Sequence, residues 1–127
     1  NLCGAGRVVC LIDPLGDVYA CPFVLHDEFL AGNVRDEGGF EKVWQQSDLF
    51  IGLREPQSAG ACASCGHFDA CQGGCMAAKF FTGIPLDGPD PECVLGHGET
   101  AMDSVARASA GKDHSRTAVA IGRKPGI

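Results

Sequence analysis

Long hydrophobic runs are missing from this sequence. No apolar run approaches the roughly 18 residues a membrane span needs, so a membrane-spanning helix is excluded. Basic residues are scarce over most of the chain. Residues 1–96 hold 5 Lys+Arg against 13 Asp+Glu, a net of −8, and residues 97–127 carry +2. That acidic body argues against nucleic acid as a partner, because phosphate binding needs a basic surface. No Ser, His and Asp grouping is present to support hydrolase chemistry; His26, His67, His97 and His114 are scattered. The segment Cys3-Gly4-Ala5-Gly6 is too short for a dinucleotide-binding loop. There is no internal repeat and no alternation of strands and helices. No basic segment followed by an apolar stretch precedes Cys3, so no signal peptide is visible, and a cytoplasmic location is expected. The first residue is Asn1 rather than methionine, and the chain is expected to continue upstream of it.

Cysteine and glycine are in excess. Eight cysteines and 18 glycines occur in 127 residues, and average glycine usage is about 7%. Many glycines mean many turns and few long regular elements. All eight cysteines lie between Cys3 and Cys93, and the segment from His97 onward has none.

The pattern predicts a small, irregular α+β domain. Residues 7–12 and 17–21 read as a β-hairpin around the turn Asp13-Pro14-Leu15-Gly16, with Cys10 inside the first strand and Cys21 ending the second. A loop with Gly32, Gly38 and Gly39 follows. One helix is then expected from about Phe40 to Arg54, where Phe40, Val43, Trp44, Phe50 and Leu53 recur near helical spacing and Pro56 ends the run. Residues 60–75 form a cysteine-dense knuckle, followed by a short helix over 76–81 and a Pro/Gly loop to Cys93. A weak helix over 102–110 has an apolar face made mostly of alanine, too little burial to offset its ordering entropy. Residues 97–127 are therefore expected to be a flexible or disordered tail.

The cysteine spacing carries the chemistry: Cys3, Cys10 and Gly16-x4-Cys21, then Cys62-x2-Cys65-x5-Cys71-x3-Cys75, then seventeen residues to Cys93. Three readings compete. Eight cysteines suit a disulfide framework, although no export signal supports one. Two four-thiolate zinc sites would also use all eight, although only Cys62 and Cys65 form a Cys-x2-Cys pair. Two iron–sulfur cubanes, each held by four thiolates, would use them with none left over. Gln72-Gly73-Gly74 favours a tight turn over a helix between Cys71 and Cys75. Such a turn lets the backbone wrap an inorganic core and aims the two sulfurs at different groups.

These residues resemble a family. The series from Gly16-x4-Cys21 to Cys93, with its Cys-Gln-Gly-Gly-Cys turn at 71–75, is similar to the SPASM domain. That is the C-terminal auxiliary-cluster domain of radical SAM peptide and protein maturases. Residues 2–14 (LCGAGRVVCLIDP), 53–60 (LREPQSAG), 74–83 (GCMAAKFFTG) and 85–93 (PLDGPDPEC) resemble the mycofactocin branch of that family. The resemblance implies a SPASM domain over 1–96 and an interleaved ligand set. Cys3, Cys10, Cys21 and Cys75 would hold one auxiliary 4Fe–4S cluster. Cys62, Cys65, Cys71 and Cys93 would hold the other. Cys10 lies outside the seven-cysteine core signature, and its alternative role is a buried strand thiol. Arg7 and Lys79 are candidate cations to offset thiolate charge.

The resemblance also implies the parent reaction. A radical SAM barrel cleaves S-adenosylmethionine and oxidatively decarboxylates and cyclises the C-terminal Val-Tyr of a precursor peptide, presented by a chaperone-like recognition protein. The barrel's Cys-x3-Cys-x2-Cys motif is absent here: Cys71-x3-Cys75 has the opening spacing, but Ala78 stands where the third cysteine belongs. No catalytic residue is therefore expected on this chain, and S-adenosylmethionine belongs to the missing barrel. The other reading is a free-standing zinc- or iron–sulfur-binding interaction module without enzymatic role.

Overall fold

The computed structural model describes residues 3–110. Its sheet has three antiparallel strands in the order β1 (Leu11–Ile12), β2 (Asp17–Tyr19) and β3 (Leu30–Asn33). The β1–β2 turn forms as the sequence predicts. Asp13 Oδ1 accepts from the backbone N–H groups of Leu15 and Asp17, both at 2.9 Å, as an Asp-led turn does. Gly16 closes the turn at φ +89°, and an added Cβ would stand 2.9 Å from Asn33 Oδ1. The register pairs Ile12 with Val18 and Asp17 with Asn33, with an irregularity between Val18 and Tyr19.

Three features of the first 54 residues differ from the sequence reading. The first strand is only two residues long, because Gly4 O accepts from the N–H groups of Arg7, Val8 and Val9 and curls that segment into a turn. Cys10 therefore precedes β1, and Cys21 lies just beyond β2. The stretch expected to be a loop contributes β3, whose short Leu-Ala-Gly-Asn sequence has no period-two apolar pattern to announce it. The single helix expected over 40–54 is two: α1 (Gly39–Gln46) and α2 (Asp48–Arg54). They are broken at Ser47, whose backbone is extended.

Residues 60–75 contain a 3-10 segment (Gly60–Ser64), the short helix α3 (Phe68–Cys71) and then a turn. Helix α4 (Met76–Thr82) follows, with the Cys75 Sγ accepting from the Ala78 N–H at its start. A 14-residue helix, α5 (His97–Ala110), occupies the first half of the expected flexible tail. It gains contacts that an isolated alanine-rich helix lacks: Gly98 is buried against the backbone of Asp90 and Pro91, and Val105 lies beside Gly83. The remainder of the expected tail, from residue 111, lies outside the described residues.

The core joins the sheet to the helices. Val18, Val24, Phe29 and Phe50 are fully buried, with Val43, Leu53, Met76 and Ala77 packed around them. Cys21 belongs to this core, and Cys3, Cys10 and Cys75 pack against it. Trp44 lies edge-on to Phe50 at 5.4 Å between ring centroids, as its helical periodicity predicts for a core anchor.

Candidate iron–sulfur site

All eight cysteines are thiols outside any disulfide, and Cys21 is the most buried of them, the others being half-buried. They fall into two neighbourhoods joined by Cys75.

The first neighbourhood centres on Cys21. Burial pushes its thiol pKa up, backbone N–H groups of Phe23 and Val24 pull it down, and the nearby sulfurs of Cys3 and Cys75 raise it further. Cys10 is also pushed up by burial alone, with no other cysteine contributing. It packs against the same core as the other three without joining their electrostatic group.

The second neighbourhood centres on Cys62. Burial raises its pKa, Lys79 lowers it, and Cys93, Cys65 and Cys71 raise it again. A cavity of about 390 Å3 opens here, lined by Cys65, Cys71, Cys75, Cys93, His67 and Asp90 among others. Cys75 thus faces the cavity of the second set while its sulfur interacts with Cys21 of the first. Cys62 does not line the cavity itself.

The turn between Cys71 and Cys75 produces this double orientation. Gln72, Gly73 and Gly74 all have positive φ, at 52°, 85° and 73°. Gln72 is the one non-glycine residue with positive φ among the described residues. Three successive left-handed residues reverse the chain sharply. Asp90 fixes the far end: its Oδ2 accepts from the Cys75 N–H at 2.6 Å and its Oδ1 from the Glu92 N–H at 2.7 Å. It also sits against the Cα of Gly74, so that any side chain there would meet its carboxylate. Asp90 was not among the residues the sequence singled out. Its signal was the Asp90-Pro91-Glu92 turn signature, an Asp whose side chain caps the backbone two residues on.

The two cations have unequal roles. Arg7 Nη2 donates to Gln72 Oε1 at 2.8 Å and to Leu53 O at 3.1 Å, so it braces the turn. Lys79 is completely buried, and its Nζ donates to Leu86 O at 2.6 Å and Gly88 O at 3.2 Å. His67 is exposed; its backbone N–H donates to Cys65 Sγ at 3.4 Å. A zinc ion, with Zn–S near about 2.3 Å, needs its sulfurs about 3.8 Å apart. Among the described residues no three His, Cys, Asp or Glu side chains converge closely enough to hold a single metal ion. Soft thiolates, backbone N–H groups directed at sulfur and glycines that keep the wall thin form a donor set that fits an iron–sulfur cluster.

Comparison with known proteins agrees with this chemistry. The chain is 73% identical to the mycofactocin maturase of Mycolicibacterium smegmatis over 117 residues, which is 91% of this chain and 30% of that protein. It is 70% identical to the mycofactocin maturase of Mycobacterium tuberculosis over the same shares. It is 30% identical to the AdoMet-dependent heme synthase of Methanosarcina barkeri over 98 residues, 76% of this chain and 27% of that protein. The chain therefore spans about a third or less of the length of these relatives. No solved structure matches it. No helix among the described residues is long and apolar enough to cross a membrane. The iron–sulfur cluster-binding domain model named SPASM matches residues 3–66, half of the chain, and with the thiol-rich site beside it the chain belongs to the SPASM family.

Proposed function

We propose that the chain is the auxiliary-cluster domain of a radical SAM peptide maturase, binding two 4Fe–4S clusters. Cys3, Cys10, Cys21 and Cys75 hold one, and Cys62, Cys65, Cys71 and Cys93 hold the other. The observation that carries this reading is the placement of the thiols: Cys3, Cys10 and Cys75 pack against the core that holds Cys21, and Cys65, Cys71 and Cys93 line one cavity with Cys75. Four of the thiols, those of Cys65, Cys71, Cys75 and Cys93, line a cavity of about 390 Å3.

When bound, such clusters supply one-electron transfer. The chain's own residues bind and shield them. Cysteine thiolates provide the ligands, N–H groups of His67 and Ala78 donate to the sulfurs of Cys65 and Cys75, and Asp90 holds Cys75 in place. Those features set potential through hydrogen bonding and solvent exposure. Likeness to mycofactocin maturases supports a parent enzyme that decarboxylates and cyclises the C-terminal Val-Tyr of a precursor peptide, in the cytoplasm, with a recognition protein delivering the peptide. The S-adenosylmethionine-cleaving barrel and the catalytic residues lie in the remainder of that enzyme.

Anaerobic reconstitution with iron and sulfide tests the reading. A brown protein with about eight irons per chain and broad absorbance near roughly 400 nm is expected. A colourless protein carrying two zinc ions would overturn it.

A further inference from the structure

We propose that Lys79 is a structural counter-ion shared by the two thiolate sets, and that its positive charge raises the reduction potential of the cluster held by Cys62, Cys65, Cys71 and Cys93. This rests on the two-cluster reading above.

Three observations point the same way. First, Lys79 is fully buried, and it is one of the five largest side chains enclosed completely. An ammonium in that position is costly unless opposite charge compensates it. Second, its two observed acceptors, Leu86 O and Gly88 O, are neutral carbonyls of the loop after α4, so they satisfy donors without neutralising the charge. Third, it stands at the junction of the sets. A Cβ on Gly73 would lie 2.8 Å from Nζ, which places the ammonium against the turn linking Cys71 to Cys75. The groups that favour its charged form are Asp90, Cys62 and Cys71 of one set and Cys3 of the other, the three cysteines being anionic once they ligate a cluster. Burial depresses its pKa, and those four groups oppose that depression.

Four thiolates round a cluster make a site with net negative charge, and one-electron reduction adds one more. A buried cation in a poorly screening interior stabilises the reduced state more than the oxidised state. Gly73 fits this arrangement, since any side chain there would occupy the space of Nζ. A lysine kept only for packing would be replaceable by an uncharged chain of similar length without a change in potential.

The test compares the reconstituted chain with Lys79→Met, Lys79→Gln and Lys79→Arg. Dithionite is the reductant, with electron paramagnetic resonance following reduction at controlled potential. The ratio of reduced to oxidised cluster at fixed potential is expected to fall about tenfold or more in the Met and Gln variants, a midpoint lower by about 59 mV. Lys79→Arg should stay within about threefold, because the charge is kept. Loss of iron from Met and Gln with retention in Arg would also support the counter-ion. Unchanged midpoints in loaded Met or Gln variants would overturn it, and so would loss of iron from all three, which marks packing alone. A parent chain that takes up no iron–sulfur cluster fails the two-cluster reading instead, and the iron count of the parent distinguishes that case.

Discussion

Arg7 and Gln72, 65 positions apart, are joined by a 2.8 Å hydrogen bond from the guanidinium to the amide oxygen. Arg7 follows Cys3 in the amino-terminal turn, and Gln72 follows Cys71 in the knuckle. Arg7 Nε and Nη2 also donate to Leu53 O, at 3.2 and 3.1 Å. The bond thus ties together the chain segments that bear the two cysteine sets, whatever they bind.

Gln72 combines that bond with a strained backbone at φ 52°. Removing the side chain loses a charge-assisted bond of about 1.5–3 kcal/mol. The two truncations differ in backbone cost. Gln72→Gly relieves a left-handed penalty of about 1–2 kcal/mol that Gln72→Ala retains. The urea midpoint for loss of cluster absorbance should therefore fall in the order parent, Gln72→Gly, Gln72→Ala. Equal midpoints for Gly and Ala would show that the φ at this position is not a constraint.

Gly74 offers a sharper contrast. It has φ +73°, and a Cβ would run into the Asp90 carboxylate that holds Cys75. Gly66, between Cys65 and His67, has open space where its Cβ would go. Gly74→Ala should therefore lose most bound iron, whereas Gly66→Ala should keep it and shift stability by no more than about 0.5 kcal/mol. Iron analysis of both variants, reconstituted side by side, decides this. Similar losses in the two would mean that any bulk in the knuckle is harmful, independent of Asp90.

Arg54 is the structural counterpart of Arg7. It donates to Gly6 O at 2.8 Å and to Trp44 O at 2.6 Å. Its guanidinium carbon also lies 4.8 Å from the Trp44 ring centroid and 5.7 Å from that of Phe50. Two charge-assisted bonds and a cation–π contact make Arg54→Ala cost about 2–4 kcal/mol. Arg54→Lys should recover only part, because an ammonium lacks the planar fork that spans both carbonyls. Thermal midpoints of the loaded proteins measure it, and full recovery by lysine would discard the fork geometry as the cause.

Much of this was legible locally and much was not. The turn at Asp13–Gly16 follows from Asp, Pro and Gly chemistry, and the Cys71–Cys75 reversal was announced by its paired glycines, although Arg7 and Asp90 hold it from a distance. The split of the expected long helix was hidden because Ser47 is tolerated in a helix, and only its extended backbone in the fold breaks the run. The strand β3 was hidden because its partners on β2 lie 11 to 16 positions away in the chain. Helix α5 depends on Gly98 fitting against Asp90 and Pro91, a tertiary contact that propensity does not contain. Cysteine spacing announced a thiolate site, but Asp90, which holds the Cys75 N–H, carries no such spacing.

The position of Cys75 leads to a prediction about removal of iron. Its N–H is held by Asp90, its Sγ caps α4 through the Ala78 N–H, and its thiol interacts with Cys21 while lining the other set's cavity. Cys10, by contrast, packs at the core edge with no second cysteine acting on it. A small domain whose cysteines border its core loses a large part of its stabilisation with its metal. Stripping iron with a chelator under anaerobic conditions should therefore collapse the far-ultraviolet circular dichroism and abolish cooperative melting. A native-like, cooperatively melting metal-free chain would rule out folding coupled to metal. The same logic ranks single substitutions. Cys75→Ala should reduce iron to below the four of one intact cluster, because it disturbs both sets. Cys10→Ala should leave at least the four irons of the cluster proposed for Cys62, Cys65, Cys71 and Cys93. Equal iron in the two variants would mean that Cys75 joins nothing beyond its own set.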